Sequence, residues 1–163
     1  MNDMKLETRE REDTRKVEWW LERFEAALAA ADTEGLTALF AAEDSHWRDL
    51  AAFTWSITPH DSRDHIVSSL LRHQPEVKAH NFALARDRTP PRRVTRQGVP
   101  SIEAIFAFET ETGTGHGLLR LDAAGPDTAW LITTSLEELK GHEAPVGDLR
   151  PKGSAYSREF GGR

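Results

Sequence analysis

The residues SIEAIFAFETETGTGHGLLRLD, Ser101 to Asp122, decide the fold. Two runs, Ser101 to Glu111 and Gly115 to Asp122, alternate apolar and polar side chains around Thr112-Gly113-Thr114-Gly115, the pattern of an antiparallel hairpin. Downstream, Ala124-Gly125-Pro126-Asp127 has the chemistry of a second tight connection, and Trp130 to Glu138 returns as a further strand.

Upstream of the hairpin the period changes. Val17, Trp20, Leu21, Phe24, Leu28 and Ala31 recur every three or four residues and form the apolar stripe of a helix over Arg15 to Ala31. Asp32 is placed to cap a short second helix containing Leu36, Leu39 and Phe40. Ser45 to Leu50 and Phe53 to His60, rich in aromatic and β-branched residues, read as strands. Asp61 or Ser62 starts a third helix through Ile66, Val67, Leu70 and Leu71 that Pro75 stops, and Val77 to Ala85 reads as another strand. Helices followed by a run of strands predict an α+β domain, a curved antiparallel sheet wrapped around N-terminal helices. The expected division is a flexible charged N-terminus over 1–14, the domain over 15–140, and an extended tail or linker over 141–163 where Gly, Pro and charge dominate.

The chain's 163 residues suffice for one core. Its lack of cysteine excludes disulfide scaffolds, thiolate metal sites and cysteine nucleophiles. No apolar run approaches the roughly 20 residues that cross a bilayer, so no membrane partner and a cytoplasmic location are expected. Acidic residues number 27 against 21 Lys and Arg, a net charge of −6 that argues against a nucleic-acid binder. The Arg-rich stretch Arg86 to Arg96 has no interleaved aromatic platform; it reads as a solvated loop protecting strand edges, with a phosphate or acidic-partner contact as the alternative. Its seven histidines never form the i, i+4 pair with an intervening Glu of zinc proteases, and no metal is expected. Gly-x-Ser-x-Gly is absent, which leaves serine hydrolase chemistry unsupported.

Several local words carry a resemblance. Trp19-Trp20-Leu21-x-x-Phe24-x-x-Ala27-Leu28, Trp47-Arg48-Asp49-Leu50 followed by Thr54-Trp55, Ile102-Glu103-Ala104-x-Phe106-x-Phe108-Glu109-Thr110, and Leu139-Lys140-Gly141-His142-Glu143 resemble the small domain that precedes the cofactor-binding region in a group of bacterial and fungal flavin-containing monooxygenases. That domain is similar to the nuclear transport factor 2-like, or SnoaL-like, superfamily. The resemblance implies a cone-shaped sheet with a pocket at its wide end, often in a homodimer. It also implies a flavoprotein domain in cis or in trans, and Tyr156 to Arg163 resembles the segment leading into one. This chain has no Gly-x-Gly-x-x-Gly turn to seat FAD or NADPH, so no cofactor is expected on it and it is not the oxidoreductase by itself.

Alternation along the first strand puts Ser45, Trp47 and Asp49 on one face and His46, Arg48 and Leu50 on the other. An inward acid beside Trp47 would be desolvated and its carboxyl pKa raised, which makes Asp49 a candidate general base; pairing with Arg48 or capping a turn is the alternative. His60 is a candidate proton carrier or orienting group, with a helix-capping role beside Asp61-Ser62 as its alternative. Arg48 is the orienting cation. Trp47, Trp55, Phe106 and Trp130 are the expected lining of a pocket for a small hydrophobic molecule. Two functions follow. One is a ligand-binding domain with cofactor-independent isomerase, cyclase or epoxide-hydrolase chemistry; the other is a non-catalytic dimerisation or docking module that uses its exposed sheet face.

Overall fold

The computed structural model describes residues 2–146. Three helices, α1 (Asn2–Ala29), α2 (Thr33–Leu39) and α3 (Arg63–Val77), cover one face of a single sheet built from β1 (His46–Leu50), β2 (Ile57–Asp61), β3 (His80–Leu84), β4 (Arg92–Arg96), β5 (Val99–Glu109), β6 (Gly113–Asp122) and β7 (Ala129–Leu139). The strand order is β2-β1-β7-β6-β5-β3, with β4 also on β5. Every pair is antiparallel except β1 with β7. The chain adopts the expected α+β class with a curved sheet, which is left unclosed.

The core lies between the helices and the inner sheet face. Trp20 stacks on Phe24 with ring centroids 4.9 Å apart, and its indole N–H donates to the Leu39 carbonyl at 2.9 Å, tying α1 to α2. Phe82 stacks on Phe108 at 5.3 Å, and Phe53 meets Trp47 edge-on at 5.3 Å. Gly115 and Gly117 stand at inward positions of β6, where a Cβ would collide with the rings of Phe108 and Phe106. Their smallness lets the aromatics reach the sheet, where Phe106 and Phe108 are buried. As expected, Asp32 caps α2 by accepting from Gly35 N–H at 2.9 Å; Ser62 caps α3, accepting from His65 N–H at 3.3 Å.

Four differences from expectation stand apart from shifts of one to three residues at other element ends. α1 begins at Asn2, so the charged stretch over 1–14, expected as a flexible arm, is helical from its second residue. Its Glu, Lys and Arg are good helix formers, and Asp13, buried within it, accepts two 2.8 Å hydrogen bonds from Arg93. The second strand begins at Ile57, because side-chain hydrogen bonds fold residues 51–56 into a loop despite their β-prone composition. α3 continues through Pro75 to Val77, since a proline in the last turn forfeits a single backbone bond; Lys78 then turns left-handed, at φ 48°. Part of the expected Arg-rich loop is β4, joined to β5 by Gln97 and Gly98 at φ 51° and 78°, the backbone signs of a tight hairpin. Most of the expected tail, including Tyr156 to Arg163, lies outside the described residues.

Candidate functional site

β1 places Trp47 and Asp49 inward and Arg48 outward, as alternation requires. Asp49 is wholly buried, and both of its oxygens are occupied. Oδ2 accepts from the Thr54 amide at 2.8 Å, the Thr54 hydroxyl at 2.7 Å and the Phe53 amide at 3.1 Å. Oδ1 accepts from the Thr134 hydroxyl at 2.6 Å, and that hydroxyl accepts in turn from the Trp47 indole N–H at 2.9 Å. This is a carboxylate capping a loop, the alternative that the sequence left open.

His60 pairs in register with Trp47, and its ring stacks on the indole at 4.3 Å with the planes 16° apart. It is buried, and its Nδ1 has no hydrogen-bond partner among the described residues. Burial pushes its pKa below 6.5, helped by His65 at a ring separation of 4.8 Å and opposed by the charge of Asp49. Arg48 turns away from Asp49 and donates to Asp61 at 2.8 Å. His46 also reaches Asp61, at 2.7 Å, and these hydrogen bonds hold the Asp61 carboxyl below its usual range. The expected trio is therefore divided: Asp49 and His60 lie on either side of Trp47 inside the sheet, and Arg48 lies outside it.

The four expected lining residues fall in different places: two in the core and one at each of two clefts. Trp47 and Phe106 are fully buried in the core. Trp55 is 61% exposed, because the loop that Asp49 ties down turns its indole outward. Trp130, on β7, donates to Ser101 Oγ at 2.9 Å and lies under the Arg120 guanidinium at 5.4 Å. It borders a separate cleft of about 450 Å³ with Glu43, Asp44, His46 and Asp122. Trp55 borders another, of about 250 Å³, between the 51–56 loop, the end of α3 and the β5–β6 turn. Among the described residues no group of three or more His, Asp and Glu is placed to hold a metal ion.

Two features escaped the sequence reading. Thr134 sits at an inward position next to Ile132, and a hydroxyl among inward apolar residues is the signal that marks it. Glu103, on the outer face of β5, accepts from Arg92 at 3.0 Å, Arg120 at 2.9 Å and Arg96 at 3.3 Å. Burial alone would raise its pKa, but the three guanidinium groups outweigh it and hold the carboxyl at about 2.

No protein-family model matches the chain, and no curated protein does. Solved structures do. A nuclear transport factor 2-like superfamily protein from Salmonella enterica serovar Typhimurium LT2 is similar at 12% identity and a TM-score of 0.53, over 78% of this chain and 93% of that one. A cystatin-like fold protein from Burkholderia xenovorans LB400 shares 17% identity at a TM-score of 0.53, covering 77% and 92%. A nuclear transport factor 2-like protein with a cystatin-like fold from Novosphingobium aromaticivorans shares 14% at 0.53, covering 85% and 90%. The likeness is one of fold, and the chain has the nuclear transport factor 2-like, cystatin-like architecture. No helix among the described residues is long and apolar enough to cross a membrane.

Proposed function

We propose that this chain is a non-catalytic dimerisation module that pairs with a second copy of itself through the outer face of its sheet. The observation that carries the reading is the charge pattern of that face. Ile105, Leu118 and Leu131, half-buried in the single chain, form its apolar centre across β5, β6 and β7. At one end Arg92, Arg96 and Arg120 surround Glu103, leaving a net positive charge. At the other end Glu109 contacts His80 at 3.5 Å, and Glu137 contacts His116 at 2.8 Å and Arg88 at 4.0 Å, so the two carboxylates outnumber the one permanent cation and that end keeps a smaller net negative charge whenever the histidines are neutral. A two-fold axis through the centre lays the basic end of one copy on the acidic end of the other, the self-complementarity an isologous interface needs.

The acid–base alternative, with Asp49 as base, His60 or Arg48 orienting and a hydrophobic molecule bound in a pocket lined by Trp47, Trp55, Phe106 and Trp130, has less support. Asp49 has no exposed oxygen and Arg48 points elsewhere. Association with a flavoprotein, in cis or in trans, is supported by the sequence resemblance alone. Sedimentation equilibrium of the purified chain tests the module. A dimer whose dissociation constant rises with salt is expected; a monomer at about 100 μM, where an interface of ordinary size is saturated, would overturn it.

A further inference from the structure

The 51–56 loop is held in a conformation that its residues do not favour. Ala51 and Trp55 lie in the left-handed region at φ 64° and 56°, where a side chain with a Cβ crowds its own backbone. Such a conformation persists only where the surroundings enforce it. They do so here: buried Asp49 gathers the Phe53 and Thr54 amides and the Thr54 hydroxyl, and the Ala51 N–H donates to the Ser56 carbonyl at 2.9 Å. The outcome of this machinery is an indole 61% exposed at the lip of a cleft.

The cleft holds about 250 Å³, space for a molecule of roughly ten heavy atoms. Ala52, Phe53 and Val77 line it with apolar surface, while Glu76 supplies a carboxylate and His73 an imidazole. No Lys or Arg is among its lining residues, and the one ammonium bonded to the lining among the described residues, Lys140 Nζ, donates to the Thr110 carbonyl at 2.7 Å, at the β5–β6 end and not at Trp55 and Glu76. A carboxylate and an electron-rich indole bordering one apolar hollow suit a cation at that side of it. We propose that this rim cleft binds a small organic amine in its ammonium form, the charge between Trp55 and Glu76 and the apolar body against Phe53 and Val77. Asp49 is then a positioning residue, acting through the loop it holds. The site is separate from the outer sheet face, so binding is expected whether or not the chain dimerises.

Isothermal titration of the full chain with 2-phenylethylamine and its neutral counterpart 2-phenylethanol tests this. The amine should bind saturably at one site per chain and about tenfold more tightly than the alcohol. Trp55→Ala and Glu76→Gln change exposed side chains and should fold normally. Each should weaken the amine about tenfold, and Glu76→Gln should also erase the preference over the alcohol. Absence of saturable amine binding, equal binding of the two compounds, or undiminished binding by Trp55→Ala would overturn the proposal. A charged substitution that splits the dimer, Leu118→Glu, should leave amine affinity unchanged, which separates failure of this site from failure of the dimer reading.

Discussion

The Thr134 hydroxyl donates to the Asp49 carboxylate at 2.6 Å across the junction of β7 and β1, strands that lie parallel and far apart in the chain. With the Trp47 indole N–H behind it, this bond joins a hydrogen-bonded chain that runs from the core to the 51–56 loop. Asp49 is thus surrounded by donors only. An asparagine there would point its amide N–H₂ at at least one of them. Asp49→Asn should therefore lower stability by about 1–3 kcal/mol in urea unfolding, and Thr134→Val by about 1–2 kcal/mol. Because the two residues share a bond, their losses should be non-additive in a double-mutant cycle. An Asp49→Asn variant as stable as the parent would contradict the capping role.

His60 is the residue whose protonation should matter near neutral pH. Its pKa is lowered in the folded chain, so below 6.5 the unfolded chain binds more protons than the folded one. Stability should accordingly fall as pH drops from 7 to 5 and recover as it rises. Replacing His60 by Phe, which keeps a ring on Trp47, should flatten that part of the profile. A slope unchanged by the substitution would place its cause elsewhere.

Glu103 acts at lower pH and by the same sign. Its carboxyl is held at about 2, below its ordinary 4.5, so its contribution is complete above 4.5 and is lost as pH falls toward 2. Glu103→Gln should remove it at neutral pH, costing about 1–3 kcal/mol as three guanidinium groups lose their shared anion. Chemical unfolding at pH 7 and pH 3 should show a difference between parent and variant that shrinks at the lower pH.

The helices and the β5–β6–β7 meander were legible in the sequence because each buries one face, and a buried face imposes a period. Trp20, Phe24 and Leu28 mark one such stripe, and Ile102, Ala104, Phe106 and Phe108 another. The first half of α1 was not legible, because what anchors it among the described residues is buried Asp13 held by the exposed Arg93, a pair 80 residues apart. β4 was hidden by arginines that look like a solvated loop until they are seen to pair with Glu103 and Asp13. At the candidate site the inward direction of Trp47 and Asp49 was legible. The use of Asp49 was not, since capping or catalysis depends on where the Phe53 and Thr54 amides fall, and that geometry exists only once Thr134 is brought alongside.

The most direct measurement of the central claim is sedimentation velocity of the chain beside Leu118→Glu, with circular dichroism on both. Leu118 is half-buried at the middle of the outer face, so a glutamate there can remain solvated in the single chain but would be desolvated in a dimer. The account predicts a dimeric parent and a folded, monomeric variant with little change in melting temperature. A folded variant that stays dimeric, or a parent that never dimerises, would contradict it.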